Sequence, residues 1–429
     1  MEQIKKNEIM INSPRIVKSE GYMRLEADTV WNFADEKIEK TLFFEVEEKW
    51  GQYLTAESSD PFVLALLELA MEKQCDIRYE EPMSEDLKYQ LETYMIPILS
   101  SELKEYYNIK LNGKTTREVI KSEMVVGTGF SGGVDSFYTV LAHKDIPYES
   151  KRVTHLLLAL SGAAMAGMTE ELDAKWYNEE VKRFRPLAEE MGLQFVGVNS
   201  NVSLLNLYRK IQRGADLVVT ASFVYALRKL FGVYYWAAAE KASVGKEDDA
   251  DGRIKAPLAI SLVGSDGLKF YLSGCEVSRV EKVEYIANDS VAQKGLTVCG
   301  EVDNCGHCSK CLRTMSELYA IGKLDKFGAV FDVEDYKKHF STKLARELAL
   351  DYSFYTSEII KSMKEHGIHI PISVYLKKNL YFKMYYFLKR KLKNNRFLMD
   401  LYYNHGWDQR LGEGRHSKEL IDARMKGLS

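Results

Sequence analysis

The sequence predicts an α/β protein built around a doubly wound parallel sheet, with an N-terminal α+β domain at 1–120 and a mainly helical C-terminal region at 323–429. In the central domain, 121–322, apolar runs of strand length alternate with helical patterns, which is typical of a parallel sheet covered by helices on both faces. The strand-length runs are MVVGTGF, HLLLALSG, QFVGVNS and GVYYWAAA, and the helical patterns between the first three are FYTVLAH and ELDAKWYNEEVKRFRPLAEEMG.

The composition is that of an ordinary globular protein. The chain has 429 residues, of which 46% are hydrophobic and 28% charged, and its formal net charge is −3. This length favours two or three domains, and the charge excludes a whole-chain basic field for nucleic acid. The N-terminal residues lack the apolar core of a signal peptide, and the run LLLALSGAAMAGM is too short to span a bilayer. We therefore predict a cytoplasmic protein without membrane association.

The N-terminal domain shows strand and helix patterns but no evident chemistry. KTLFFEVEEKW has the pattern of a strand, whereas PFVLALLELAMEK and EDLKYQLETYMIPIL have the patterns of helices. Ser84 precedes the second helix and is predicted to be its N-cap, because a serine side chain accepts a hydrogen bond from the first free N–H groups of a helix.

A glycine-rich segment, residues 131–136 (SGGVDS), follows the first apolar run of the central domain. Ligands of doubly wound sheets bind beyond the carboxyl ends of the strands, where glycines let backbone N–H groups approach an anion and a following helix adds its positive end. Ser131 and Ser136 offer hydroxyl groups, and Asp135 could hold Mg²⁺ or water, or cap the helix.

The alternative for this segment is an ordinary turn between a strand and a helix, with Ser or Asp as the N-cap. Two known phosphate motifs do not fit. A Walker P-loop is excluded because no Gly-Lys-Ser/Thr follows, and the GxGxxG spacing of dinucleotide-binding turns falls before the loop instead of within it.

Four of the six cysteines are clustered near the end of the central domain, at Cys299, Cys305, Cys308 and Cys311. Two overlapping CxxC turns and one upstream cysteine can form a tetrahedral four-sulfur site. The pattern therefore favours structural Zn²⁺, with an iron–sulfur cluster and unligated thiols as the alternatives. A disulfide framework is less consistent with clustered cysteines in a long chain.

Two other segments carry charge that could serve a function. Arg279 and Lys282 are three residues apart on one predicted helical face, so they could bind phosphate or an adenylate; the alternative is a solvated amphipathic helix. Residues 375–397 interleave aromatic residues with Lys and Arg, and this pattern is compatible with nucleic acid, with a membrane or partner protein, or with aromatic side chains packed on the catalytic domain. We favour the last interpretation.

SGGVDS after an apolar strand resembles the PP-loop motif, SGGxDS, of the ATP pyrophosphatase superfamily. The resemblance implies a fold of the PP-loop (HUP) type and an enzyme that binds ATP and Mg²⁺, adenylates a carboxylate, carbonyl or amide oxygen, and releases pyrophosphate. It also implies that Asp135 lies near Mg²⁺. From the position of Arg279 and Lys282 on one helical face, we predict that these two residues act in catalysis together with Asp135. The implied nucleotide-binding residues are Ser131, Gly132, Gly133, Val134, Asp135 and Ser136.

The PP-loop followed by Cys-x₅-CxxCxxC resembles the 7-cyano-7-deazaguanine synthase family over about 125–315. This resemblance implies a ligase that activates a carboxylate for attack by a nitrogen nucleophile, with Zn²⁺ in the four-cysteine site. The family's Tyr-Gly-Gln and Pro-Gly-Arg-Asn segments are absent, so the chain looks like a divergent relative. Similar proteins occur in antiphage defence operons, where a partner protein is a candidate target. The alternatives are deazaguanine synthesis for queuosine, tRNA modification, or a non-catalytic nucleotide-binding module.

Overall fold

A computed structural model describes residues 7–33, 36–161, 169–209, 216–241, 259–300, 303–350 and 353–392. The chain forms two compact units. The first unit consists of Met1–Phe130, Thr139–Ala238 and Ala242–Cys275, and the second of Ser131–Tyr138, Ala239–Lys241 and Glu276–Ser429. The three-domain division of the sequence stays a prediction.

All thirteen described strands belong to the first unit. They are β1 Glu8–Ile11, β2 Arg15–Ser19, β3 Tyr22–Asn32, β4 Lys37–Glu47, β5 Asp76–Tyr79, β6 Met83–Ser84, β7 Leu111–Asn112, β8 Thr115–Thr116, β9 Val125–Gly129, β10 His155–Ala159, β11 Gln194–Ser200, β12 Phe231–Ala237 and β13 Lys269–Ser273.

The described helices of the first unit are α1 Asp60–Glu72, α2 Glu85–Gln90, α3 Ile96–Glu102, α5 Glu170–Glu190 and α6 Asp216–Ala226, while α4, Val134–His143, begins in the second unit and ends in the first. A π-helical turn, Leu91–Met95, joins α2 to α3, and 3₁₀ turns span Glu48–Tyr53, Glu149–Lys151, Val202–Tyr208 and Ile260–Val263. Ser84 caps α2 as predicted, because its Oγ accepts a hydrogen bond from the backbone N–H of Leu87.

Eleven of the described strands form one sheet in the order β13-β12-β9-β10-β11-β4-β3-β1-β5-β7, with β2 paired to β3. The neighbours from β13 to β11 are parallel, those from β11 to β1 are antiparallel, and β1, β5 and β7 are parallel. The predicted α/β class with a mostly parallel sheet is therefore confirmed. The four predicted apolar runs form β9 to β12, and β13 is an additional strand.

Strands from 1–120 and from the central region share this sheet, because β4 pairs with β11. The hydrophobic core also contains side chains from both 1–120 and the central region. The ring of Phe44 on β4 makes edge contacts with Phe62 on α1 and with Phe223 on α6, at centroid distances of 5.5 and 5.1 Å. All three side chains are fully buried.

The described residues of the second unit form helices joined by turns and loops, with no strand among them. Besides the start of α4 it contains α7 Arg279–Ile286, α8 Ser290–Gly295, α9 Ser309–Ala320, a 3₁₀ turn at Leu324–Phe327, α10 Val333–Lys338, α11 Phe340–Ala349, α12 Ser353–Glu365, α13 Ile372–Leu376, a π-helical turn at Lys377–Phe382, and α14 Lys383–Leu392. No helix in the described part of the chain has the length and apolar character required to cross a membrane.

The basic and aromatic segment predicted at 375–397 is described only as far as residue 392, and 393–397 lie outside the described residues. Its side chains differ in exposure. Phe382 is buried in a cluster with Leu344 on α11 and Met363 on α12, whereas Tyr381 and Phe387 are each 51% exposed. Phe382 therefore packs on helices of the C-terminal region itself, and packing of this segment on the catalytic domain stays a prediction.

Candidate functional site

The glycine-rich loop lies between β9 and α4 in the chain, and its conformation depends on glycine at position 132. Gly132 has a φ of +67°, in the left-handed region where a side chain is strained. Its carbonyl accepts a hydrogen bond from the backbone N–H of Thr297 at 2.8 Å. At Gly133 an added Cβ would meet Ser131 Oγ at 3.5 Å and Thr297 O at 3.7 Å, which are ordinary contacts.

The loop presents backbone N–H groups that the rest of the described chain does not use. The N–H of Phe137 donates to Gly133 O at 2.9 Å and starts the hydrogen bonding of α4. Within the described residues, the preceding N–H groups, from Gly132 to Ser136, donate no hydrogen bond. Free N–H groups at a helix N-terminus, combined with the positive end of the helix dipole, make a site suited to an anion.

The two serines of the loop have different environments. Ser136 is buried, and its Oγ donates to Gly133 O at 2.9 Å, so this hydroxyl supports the turn itself. Ser131 is exposed at the start of the loop. Binding of phosphate by either hydroxyl stays a prediction.

Asp135, Arg279 and Lys282 come together in one cluster, although α4 and α7 are far apart in sequence. Arg279 Nη1 donates to Asp135 Oδ2 at 2.6 Å, and Lys282 Nζ donates to Asp135 Oδ1 at 3.1 Å. The Lys282 side chain is only 1% exposed. The interpretation of α7 as a solvated amphipathic helix is therefore wrong for this face of α7.

Helix α7 begins at a fixed position because a capping box closes its first turn. Ser278 Oγ accepts from the backbone N–H of Glu281, and the Glu281 carboxylate accepts from the backbone N–H of Ser278. Such a reciprocal cap satisfies two of the free donors of the helix. The backbone N–H of Arg279 donates to Glu358 on α12 at 3.1 Å, so a second helix also fixes the start of α7.

Sequence reasoning missed a second carboxylate next to the Arg279 side chain, Glu317 on α9. Its Oε2 lies 3.6 Å from Arg279 Nε, the side chain is fully buried, and neither oxygen accepts a hydrogen bond from any described residue. Burial raises the pKa of Glu317 to about 7, although Arg279 and Arg313 oppose the shift. Burial disfavours the charged form of Arg279, but Asp135 and Glu317 more than compensate and raise its pKa.

A second buried pair lies one helical turn away on α9. Arg313 Nε donates to Glu347 Oε1 on α11 at 3.2 Å, and the guanidinium carbon lies 4.1 Å from the ring centroid of Tyr355. Glu347 is fully buried, and burial raises its pKa to about 7 against the effect of Arg313. Glu317 and Glu347 are thus two buried carboxylates of similar environment, of which only Glu317 contacts Arg279.

The aromatic ring of Tyr138 lies beside the charge cluster of Asp135, Arg279 and Lys282. Its ring contacts the Tyr285 ring edge-on at 5.2 Å, and Lys282 Nζ lies 6.0 Å from the Tyr138 ring centroid. The Tyr138 hydroxyl donates to Glu276 at 3.2 Å, and burial together with Glu276 raises its pKa to about 12. This phenol is therefore a hydrogen-bond donor and not a base at neutral pH.

The four clustered cysteines converge as predicted. The Sγ atoms of Cys299, Cys305, Cys308 and Cys311 all lie within 4.8 Å of one another, with 3.7 Å between Cys299 and Cys308 and 4.0 Å between Cys305 and Cys311. Tetrahedral Zn²⁺ with Zn–S bonds of about 2.3 Å would place its sulfurs about 3.8 Å apart. The cluster could therefore bind a metal ion such as zinc.

The backbone around these cysteines supports thiolate ligands. The N–H of Cys308 donates to Cys305 Sγ at 3.3 Å, and the N–H of Cys311 donates to Cys308 Sγ at 3.4 Å. Gly306 permits the turn with a φ of +72°. Cys308 is the N-cap of α9, so the positive end of that helix also favours sulfur in its negatively charged form.

The segment that leads to Cys299 is held in place by Asn304. The Asn304 side chain donates to Leu296 O at 2.8 Å and to Val330 O at 3.1 Å, and it accepts from the N–H of Val298 at 2.9 Å. Thr297, whose backbone N–H donates to Gly132 O, lies between Leu296 and Val298, both of which Asn304 binds.

Comparisons with protein-family models, with curated proteins and with solved structures find no match for this chain.

Proposed function

We propose that this chain is an ATP-dependent adenylating enzyme of the PP-loop type, which splits ATP into AMP and pyrophosphate to activate a carboxylate for attack by a nitrogen nucleophile. The observation that carries the proposal is the glycine loop, where the N–H groups from Gly132 to Ser136 make no hydrogen bond within the described residues. Arg279 and Lys282, both largely buried, are bound to the carboxylate of the same loop. Free N–H groups and desolvated cations suit the phosphates of a nucleotide.

The strand order supports this assignment. If the parallel strands from β9 to β13 are renumbered 1 to 5 along the chain, the order β13-β12-β9-β10-β11 becomes 5-4-1-2-3. The chain direction along the sheet reverses at β9, and ligands of doubly wound sheets bind at such a switch point. The glycine loop is the chain segment that leaves β9. We accordingly propose that the sheet is doubly wound.

The chemistry requires two displacement steps. In the first, a carboxylate oxygen of the substrate attacks the α-phosphorus of ATP; an O–P bond forms, the bond to the bridging oxygen breaks, and pyrophosphate leaves. In the second, the nitrogen attacks the acyl carbon and loses a proton, while AMP leaves with the electron pair of the broken C–O bond. Adenylation is useful because AMP is a far better leaving group than an oxide ion.

In this proposal, the two cations of the cluster bind the phosphates of the nucleotide. Arg279 and Lys282 would exchange Asp135 for phosphate oxygens when the nucleotide binds, and their positive charge would stabilise the negative charge that develops on pyrophosphate. The two cations lie in a poorly solvated site, where such an interaction is stronger than in water.

Mg²⁺ binding at Asp135 stays a prediction. The loop offers one carboxylate, whose two oxygens already bind Arg279 and Lys282. Mg²⁺ commonly takes only one or two protein carboxylates and completes its shell with phosphates and water, so the donor set fits only together with a nucleotide. When bound, Mg²⁺ would neutralise phosphate charge.

Zinc is proposed as a structural ion. All four positions of a tetrahedral shell are supplied by Cys299, Cys305, Cys308 and Cys311, and closed shells of this kind leave no position for a substrate.

The test of the function is to incubate the protein with ATP, Mg²⁺ and candidate acids and to identify the nucleotide products. AMP and pyrophosphate are expected. ADP and phosphate would contradict adenylation, and ATP binding without any turnover would favour a non-catalytic module. A product bound to protein or RNA would distinguish modification of a macromolecule from synthesis of a small molecule.

The variant Gly133→Ala tests the loop itself. The added methyl group has ordinary clearance in the fold but occupies the surface that a phosphate would approach. We expect the Kd for ATP to rise at least tenfold with an unchanged melting temperature. Gly328→Ala is the matched control, since its Cβ would also meet only an ordinary contact, Asp325 O at 3.8 Å. Equal affinity of both variants for ATP would contradict the proposed site.

A further inference from the structure

Two connections run from the four-cysteine cluster to the glycine loop, both within the second unit. The first is direct: Thr297, two residues before Cys299, donates its backbone N–H to the Gly132 carbonyl at 2.8 Å. The second runs through α9, whose N-cap is Cys308 and which carries Glu317. Glu317 faces Arg279, and Arg279 binds Asp135 in the loop.

Burial of Glu317 without a hydrogen-bond donor lowers the folding stability, which suggests that this residue has a functional role. A carboxylate with no hydrogen-bond donor in a buried site loses its hydration without full compensation. Glu317 is fully buried, and neither of its oxygens accepts a hydrogen bond from the described residues. Its nearest cation is Arg279, whose Nε lies 3.6 Å away and also lacks a hydrogen-bond partner among these residues. Glu317 therefore acts on Arg279 mainly through charge.

Glu317 is important for the position of Arg279 because the other carboxylate that binds Arg279, Asp135, is shared with Lys282. Asp135 binds both Arg279 and Lys282, and a phosphate that enters the loop competes with Asp135 for these cations. An arginine held by Asp135 alone would be free to reorient once that bond is lost. Glu317 approaches from another helix, so it retains Arg279 in place while the loop exchanges partners.

We infer that Glu317 is a positioning residue, which holds Arg279 toward the glycine loop, and that α9 thereby couples the metal site at its N-terminus to the shape of that loop. The part of this inference that concerns nucleotide affinity rests on the proposed function; the part that concerns loop order does not. Coupling of this kind is reciprocal: metal binding orders the loop, and a ligand of the loop favours the metal-bound state.

The first experiment measures the order of the loop without any nucleotide. Amide hydrogen exchange is followed by mass spectrometry in the zinc-loaded protein and after removal of zinc by a chelator. We expect exchange at the amides of Phe137 and Thr297, which donate to the loop carbonyls of Gly133 and Gly132, to become at least tenfold faster, while Phe340–Ala349 and Ser353–Glu365 keep their protection. Unchanged exchange at Phe137 and Thr297, or an equal acceleration throughout the second unit, would contradict the coupling.

The second experiment compares Glu317→Gln with Glu347→Gln at pH 8, since both residues are fully buried and each faces an arginine. We expect the Kd for ATP to rise at least tenfold in Glu317→Gln and less than twofold in Glu347→Gln, with zinc content maintained and the melting temperature not lowered in either variant. A merely structural role would weaken ATP binding in the two variants alike, and that result would overturn the inference.

The failure of this inference is distinguishable from the failure of the proposed function. If the wild-type protein binds ATP and Glu317→Gln binds it equally well, the positioning role is wrong and the proposed function stands. If the wild-type protein binds no ATP, the proposed function fails, and the exchange experiment alone decides whether metal orders the loop.

Discussion

At the scale of single residues, the feature that organises the second unit is a set of alternating buried charges. Asp135 binds both Arg279 and Lys282 and offsets one of their two positive charges, and Glu317 lies 3.6 Å from Arg279 Nε. Each of these groups would be expensive to bury alone, since an unpaired charge in a poorly solvated site costs several kcal/mol. The cluster is thus stable only as a set, and removal of one member affects the others.

Asp135→Asn is therefore expected to destabilise the protein as well as to impair the loop. The substitution leaves Arg279 and Lys282 without their shared carboxylate, and loss of one partner of a largely buried pair costs about 3 kcal/mol. Urea denaturation of the second unit is the measurement. Ser131→Ala is the control, because Ser131 is exposed. An unchanged free energy of unfolding would show that the cations find other partners.

Folding stability should depend on pH through the two buried glutamates. Burial raises the pKa of Glu317 and of Glu347 from 4.5 to about 7, so the stability that each contributes is fully present below pH 4.5 and is lost as the pH rises through about 7. The loss is on the order of 3 kcal/mol per group.

Glu317→Gln provides the measurement of this effect. The variant and the wild-type protein should have similar free energies of unfolding at about pH 4, where Glu317 is protonated in both the folded and the unfolded chain, and the variant should be the more stable of the two at pH 8. A difference that is constant between these pH values would mean that Glu317 is ionised with an ordinary pKa.

At the scale of elements, helix α9 connects the four-cysteine cluster to the charge cluster around Arg279, two features that are separate in the sequence. Its N-cap is Cys308, its first turn contains Cys311, and its third turn carries Glu317. A metal ion held by Cys308 and Cys311 would fix the first turn, and a rise of 1.5 Å per residue would then fix the position of each later side chain along the axis. Under the predicted metal site, a bound ion would therefore influence residues beyond its own loop.

Cys308→Ser should abolish stable metal binding. Serine is a poor ligand for Zn²⁺ compared with a thiolate, and the variant also loses a sulfur that accepts a hydrogen bond from the N–H of Cys311. We expect elemental analysis to find about one zinc per wild-type chain and almost none in the variant. Cys275→Ser is the control, because Cys275 is not a member of the cluster. Iron with a brown colour in the wild-type protein would favour the iron–sulfur alternative.

At the scale of the whole molecule, the first unit combines strands from the N-terminal and the central parts of its sequence. Strands β4 and β11 pair in the middle of the sheet, and Phe44 packs against residues of α1 and α6. The described N-terminal strands β1 to β5 and β7 are therefore part of the same sheet as the central strands.

Phe44→Ala tests this dependence. Truncation of a fully buried phenylalanine costs about 3–5 kcal/mol through lost transfer free energy and the cavity that remains. Thermal unfolding should show a single lowered transition for the whole first unit. Tyr22→Ala is the control, since Tyr22 is 43% exposed and should change stability by less than about 1 kcal/mol. An unaffected transition of the central strands would indicate that residues 1–120 fold independently.

The sequence predicted features that depend on local spacing and missed those that depend on distant contacts. The apolar runs of β9 to β12 and the cysteine spacing are local, and both appear in the structure as expected. The five residues of β13 carry too weak a pattern to be recognised. Glu317 resembles any solvated glutamate of a helix, and its burial follows only from how α9 packs. The Asp135–Arg279 contact joins residues 144 positions apart, which no sequence period reveals.

The pairing of Asp135 with Arg279 and Lys282 means that the glycine-rich loop carries an anion of its own. Under the proposed function, Asp135 would stay in the site when a phosphate displaced it, so an incoming anion would meet the combined charge of the two cations and this carboxylate and not that of two unpaired cations. We would therefore expect ligand binding here to respond weakly to added salt, in contrast to sites that recruit a free anion from solution.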